Sequence, residues 1–192
     1  PHLEGAGRPL EAGTAWLDVA IDAMRDLRGA DAIMAADRAD QQLGAAGLST
    51  DHVLRLMAET VNANSDLLRG RPEKQEVVLT SVLARAPEGS APHFEALVGL
   101  GVARGWQRDQ EGCRRWLGMA LRVAEMGTVP RAKERALERL ARFESLAGNH
   151  DIACRLAAKV VREAVDKGRA HRTAVIAFGR AGDLAGDGGK ET

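Results

Sequence analysis

RAKERALERLARFESLAGNHDIACRLAAKVVREAVDKG, residues 131–168, is the stretch on which the reading of the fold turns. From Pro130 to Gly148 the apolar residues Leu137, Leu140 and Leu146 recur at helical spacing, and Ile152, Leu156, Val160, Val161 and Val165 repeat the pattern up to Gly168. Asn149-His150-Asp151 lies between the two runs, where Asn or Asp caps the free amides of a second helix; this accounts for the triplet better than metal binding does. A single helix-turn-helix pair cannot bury its apolar stripe alone, so the pair calls for neighbours built like itself.

Working outward, those neighbours are present. Helical patterns begin near Thr14, Asp51, Pro92, Arg131 and Ala170, a spacing of about 39 residues. Val102-Ala103-Arg104, Leu140-Ala141-Arg142 and Phe178-Gly179-Arg180 recur at intervals of 38, each a large apolar residue, a small one and an arginine. Second helices recur at 41, pairing Cys113 with Cys154, Ala120 with Val161, Ala124 with Val165 and Gly127 with Gly168. The difference is placed in the turn within each pair, where an insertion is tolerated.

The expected order is an irregular lead over 1–13, an acidic half with two helix pairs over 14–85, a loop or hinge over 86–92, a basic half over 93–186 with two pairs and a capping helix, and a flexible tail over 187–192. Thr14 is the expected N-cap of the first helix, and Pro72 opens the fourth at a position where proline costs no hydrogen bond. The loop is marked by Pro87, Gly89 and Pro92, and the last helix by Val175, Ile176 and Phe178.

Composition agrees with an all-α chain. Of 192 residues 45% are hydrophobic but only 3% aromatic, so Ala, Leu, Val and Met must build the core. The formal net charge is zero, yet residues 1–100 carry 9 basic and 15 acidic side chains and residues 101–192 carry 18 and 12, or −6 and +6. Such asymmetry either steers an anionic partner to the second half or reflects solvated helix faces. Direct nucleic-acid binding is not expected, because neither a basic domain nor aromatic stacking groups stand out. No apolar run reaches the length of a membrane span. Cys113 and Cys154 are read as buried, reduced thiols, which points to the cytoplasm. A start at Pro1 rather than Met suggests a piece of a longer protein.

Leu137, Leu140-Ala141, Gly148 and Ala153 fall at the spacing of the tetratricopeptide pattern, so the chain resembles a tetratricopeptide-repeat (TPR) protein, best over residues 93–180. Glu144 and Ala157 replace that family's aromatic residues and Val165 its terminal proline. Armadillo or HEAT stacks, with periods of about 40–47, are the structural alternative. The resemblance implies a right-handed α-solenoid of antiparallel helix pairs, about four pairs and a terminal helix, that binds a protein or peptide on its concave face. The residues implied for that groove are Arg135, Glu138, Arg142 and Ser145, with Val98 and Val102. Arg104, Arg142 and Arg180 form a candidate ladder of guanidinium forks for acidic groups, or else are the first exposed residue after a buried pair.

No catalytic residue, metal site or cofactor is expected. The five histidines are scattered, and Gly99, Gly101 and Gly105 lack the context of a phosphate loop and read as close-contact points in a helix. Helical repeats rich in Ala and Arg also resemble the sensor regions of large bacterial transcriptional activators. That alternative predicts an enclosed apolar pocket for a small-molecule effector around Trp106 and Trp116, although core packing is the simpler reading of the tryptophans. A helical enzyme is the third reading.

Overall fold

The computed structural model describes residues 2–127, 129 and 131–166. Among them are a helical turn, α1 (His2–Gly5), and eight helices: α2 (Pro9–Arg25), α3 (Gly29–Ala45), α4 (Val53–Leu68), α5 (Pro72–Arg85), α6 (Ala91–Trp106), α7 (Gln110–Glu125), α8 (Ala132–Leu146) and α9 (His150–Asp166). No strand occurs among the described residues. The expected last helix at Val175–Phe178, Arg180 and the tail at 187–192 lie outside them. The chain divides into two compact units, residues 1–116 and 117–192. Ala86–Ser90, at the expected hinge, is a short connection inside the first unit between α5 and α6, which pack on each other.

One turn closes every helix pair. It spans three residues each time, 26–28, 69–71, 107–109 and 147–149, and its middle residue is left-handed: Leu27 (φ 60°), Gly70 (φ 72°), Arg108 (φ 62°) and Gly148 (φ 81°). The residue after it donates its amide back to the carbonyl five positions earlier: Arg28 to Ala23 (2.9 Å), Arg71 to Asp66 (3.1 Å), Asp109 to Arg104 (3.0 Å) and Asn149 to Glu144 (2.9 Å). This is the hydrogen-bond pattern of a Schellman cap, which satisfies the last carbonyls of the first helix and reverses the chain at once.

The turns correct the expected origin of the unequal periods. Within-pair turns are equal in length, and the variable segments are those between pairs: 46–52, 86–90 and 126–131. Buried positions of α7 and α9 repeat at 40 rather than 41, because Cys113 corresponds to Ala153 and Ala120 to Val160. One residue of slip is about 100° on a helix. Accordingly Cys113 is buried as expected, whereas Cys154 is exposed.

The amino-terminal region also differs from expectation. α2 begins at Pro9, not Thr14, because Pro9 sits in the first turn, where its missing amide costs nothing, and Ala12 and Gly13 are already buried. Thr14 lies inside the helix, its hydroxyl donating to the Leu10 carbonyl at 2.9 Å.

Small residues let the first pair pack closely. Ala20, Ala23, Ala32, Ala35 and Ala36 form one cluster with Val61, and Leu56, Ala63, Leu79, Val82, Ala96 and Leu100 form the next, with Trp116 packed against it. At Gly99 a methyl group would run into Asn64 Oδ1 and Leu79 Cδ1, so the close-contact reading of this glycine holds. Glu144, which replaces a family aromatic, is buried and accepts a hydrogen bond from Asn149 Nδ2 at 2.7 Å, so its carboxylate is satisfied where a ring would have packed.

Candidate functional site

In the second unit, Glu138 and Arg142 are exposed on α8, and Arg135 and Ser145 are half-buried there. In the first unit Arg104 is half-buried and committed: its Nη2 pairs with Glu76 of α5, and its Nη1 lies 3.6 Å from Asp109. Of the arginine ladder, therefore, Arg104 is occupied within its own unit, Arg142 faces solvent and stands two residues out of register with it, since the turns make Glu144 the equivalent of Arg104, and Arg180 lies outside the described residues. Val98 is buried in α6 and Val102 is half-buried, so Val98 belongs to the packing of the first unit rather than to an open surface.

Neither Trp106 nor Leu146 is in the core. Trp106 is 70% exposed at the end of α6, and Leu146 is 81% exposed at the end of α8. Trp116 packs against the core while Trp106 faces water, so the two indoles do not enclose a common apolar pocket.

The first unit holds an open groove of about 290 Å³ beside α4, lined by Ala36, Asp37 and Asp40 of α3, Thr50, Arg55, Ala58, Glu59 and Asn62 of the α4 region, and Arg85 of α5. Its floor is small because Ala36 and Ala58 are alanines; its walls are charged. Arg55 grips Asp40 through both ends of its fork, Nε to Oδ1 at 2.7 Å and Nη2 to Oδ2 at 3.0 Å, and its Nη1 donates to the Leu48 carbonyl at 3.1 Å. Arg85 Nη2 donates to Glu59 at 2.8 and 2.6 Å, and its Nη1 lies 3.5 Å from Asp51. Asn62 Nδ2 donates to Asp37 Oδ1 at 2.6 Å.

Hydrogen bonding to Asp40 raises the Arg55 pKa, and hydrogen bonding to Glu59 raises that of Arg85, each against a smaller effect of burial. Both guanidiniums stay charged throughout the physiological range. With three carboxylates against two guanidiniums on its walls, the groove has an acidic surplus at Asp37, which is paired only with a neutral amide. Three helices and the segment before α4 are thus cross-tied by side chains that do not saturate their acceptors. No sequence signal marked this groove, because Asp37, Asp40, Arg55, Glu59 and Arg85 belong to three helices and share no motif.

Among the described residues no group of three His, Cys, Asp or Glu could hold a metal ion, and no helix is long and apolar enough to cross a membrane.

Comparison with solved structures agrees with this architecture. A candidate kinesin light chain of Podosopora anserina with nearly identical TPR-like repeats superposes with a TM-score of 0.60 at 16% identity, over 93% of this chain and 89% of that one. A single-substitution variant of it gives 0.61 at 16% identity over 93% and 88%. The MamA protein gives 0.47 at 17% identity over 91% and 87%. No protein-family model matches the sequence, and no curated protein matches it. The fold is a TPR-like helical repeat, all-α among the described residues.

Proposed function

We propose that this chain is a non-catalytic helical-repeat module that recognises a protein or peptide. The observation that carries the reading is the open groove beside α4, with alanines on its floor and Asp37, Asp40, Glu59, Arg55 and Arg85 on its walls. It is wide enough for a few side chains of an extended segment and is rimmed by acceptors that paired arginines leave partly free. Its acidic surplus suits a segment carrying Lys or Arg. In the second unit, by itself, the exposed Glu138 and Arg142 of α8 offer polar contacts of their own.

The test is selection of binders from a displayed random-peptide library on the full chain, followed by anisotropy titration. Selected peptides are expected to be basic, and Asp37→Lys with Asp40→Lys is expected to weaken them by roughly tenfold, about 1.4 kcal/mol. Charge reversal at Arg142 is expected to weaken a partner held by α8 while leaving the helical melting curve unchanged. Unchanged affinity in both variants would refute the reading.

A further inference from the structure

The edge formed by the within-pair turns of the first unit has a chemistry distinct from that of the groove. The first helices α2 and α4, and α4 and α6, are in contact, and each ends in the same turn, so their carboxyl ends lie along one edge. Leu68 of α4 and Trp106 of α6 stand two residues before the left-handed position of their turns, and both are exposed. Leu27 is itself the left-handed residue of the first turn and is 73% exposed. A Cβ built on Gly29, just after that turn, would lie 3.4 Å from Leu68, so the first two turns adjoin.

Arg69, Arg71 and Arg108 are interspersed with these apolar groups. All three are exposed, and among the described residues none has a carboxylate partner. The nearby acids are engaged otherwise: Asp66 is buried and pairs with Lys74 at 3.0 Å, and Asp109 accepts from the Gly112 amide at 2.8 Å. Glu73 and Glu111 lie in the first turns of α5 and α7, against the positive ends of those helices. By contrast, the arginines elsewhere in this unit that bridge helices, Arg55, Arg85 and Arg104, are all tied to carboxylates.

Folding does not require this pattern. Gly70 shows that glycine serves the turn without strain, yet Leu27 and Arg108 hold a left-handed backbone that disfavours any side chain. Leu68 and Trp106 are large apolar groups exposed at equivalent positions of successive turns, with Leu27 beside Leu68 across the first two turns, and apolar groups set among guanidiniums without carboxylate partners suit an interface.

We propose that this edge is a second docking surface, for a protein segment in which apolar side chains alternate with carboxylates. The apolar anchors would cover Leu27, Leu68 and Trp106, and the carboxylates would take the forks of Arg69, Arg71 and Arg108. Repeat spacing favours such a segment: neighbouring helix axes lie about 8–10 Å apart, a few residues of extended chain, so one strand or helix reaches consecutive anchors.

The experiment uses the full chain and four fluorescent probes: a short peptide alternating Glu with Leu and Phe, the same peptide with Lys in place of Glu, a thymidylate strand, and vesicles containing phosphatidylserine. The acidic peptide is expected to bind at least about tenfold more tightly than its lysine counterpart and to shift tryptophan emission to shorter wavelength, a shift absent in Trp106→Phe. Trp106→Ser, and independently Arg69→Glu with Arg108→Glu, are expected to weaken it by roughly tenfold or more. Should Trp106→Ser melt early, the arginine pair alone decides. Asp40→Asn in the groove is expected to leave this binding unchanged, which separates it from the reading above. Equal binding by the arginine variant, or preference for the lysine peptide, the thymidylate strand or the vesicles, would overturn the proposal.

Discussion

Gly99 shows how one residue fixes the approach of three helices. Gln75 is buried and donates through Nε2 to Asn64 Oδ1 at 2.8 Å and to the Gly99 carbonyl at 3.5 Å, which ties α4, α5 and α6 together. A methyl group at Gly99 would displace both Asn64 and the buried Leu79. Gly99→Ala is expected to introduce roughly 1–3 kcal/mol of overpacking against about 1 kcal/mol gained in helix propensity, so the net effect is a lower unfolding midpoint in urea. A raised midpoint would show that the Asn64 amide yields freely. The sequence allowed Gly99 to be read as a contact point because a glycine inside an apolar helical run needs such a reason. It did not identify Asn64 or Gln75 as its partners, since hydrogen bonds between side chains more than ten residues apart leave no local pattern.

At the scale of elements, the recurring unit is the turn as much as the helix. Gly70 and Gly148 fill the left-handed position with nothing near enough to touch an added Cβ, so their role is purely one of backbone conformation. Gly70→Ala is therefore expected to cost about 0.5–1 kcal/mol, the left-handed penalty less the entropy removed from the unfolded chain. Leu27→Gly, the reverse change at the equivalent position, is expected to be neutral or mildly stabilising. Urea denaturation of both variants checks the opposed signs, and a loss of equal size in each would contradict the equivalence. The sequence signalled the turn at Gly148, and Pro72 the helix start just after Gly70, but it masked the turns at Leu27 and Arg108, where the residues are not turn formers. The resulting one-residue error in the spacing of α7 and α9 misassigned Cys154 to the interior. Helix periodicity tolerates such slips wherever alanines flank the true buried position, and Ala153 lies next to Cys154.

For the molecule as a whole, stability should respond to pH through His93. It lies in the first turn of α6, where Ser90 Oγ accepts from its amide at 3.5 Å, and its ring Nδ1 is buried without a partner. Burial lowers its pKa, and the carboxylate of Glu88 opposes this only weakly. A histidine whose folded pKa lies below its unfolded value of about 6.5 makes the unfolded chain bind more protons in that window, so stability falls as pH drops from about 6.5 towards the folded pKa and levels off beneath it. The difference in unfolding free energy between His93→Asn and the unaltered chain is expected to vary with pH only across that interval. A difference independent of pH from 8 to 5, a range of roughly 3 units about the ordinary histidine value, would exclude the effect.

The order of helices, their pairing and the all-α class were determined by sequence alone, because an apolar stripe at a 3.6-residue period and the breaks between stripes are local properties of the chain. The reading of groove residues went less far. Arg104 was legible as an arginine after an apolar pair but not as the partner of Glu76, and its turn makes it the equivalent of Glu144 rather than of Arg142; Arg142 was legible as exposed. Only the tertiary structure decided that Asp37, Asp40, Arg55, Glu59 and Arg85 border one groove and that Leu27, Leu68 and Trp106 are exposed. Those groupings depend on which helices pack side by side and on the rotation of each about its axis, and a rotation of one residue, about 100°, moves a side chain from core to solvent.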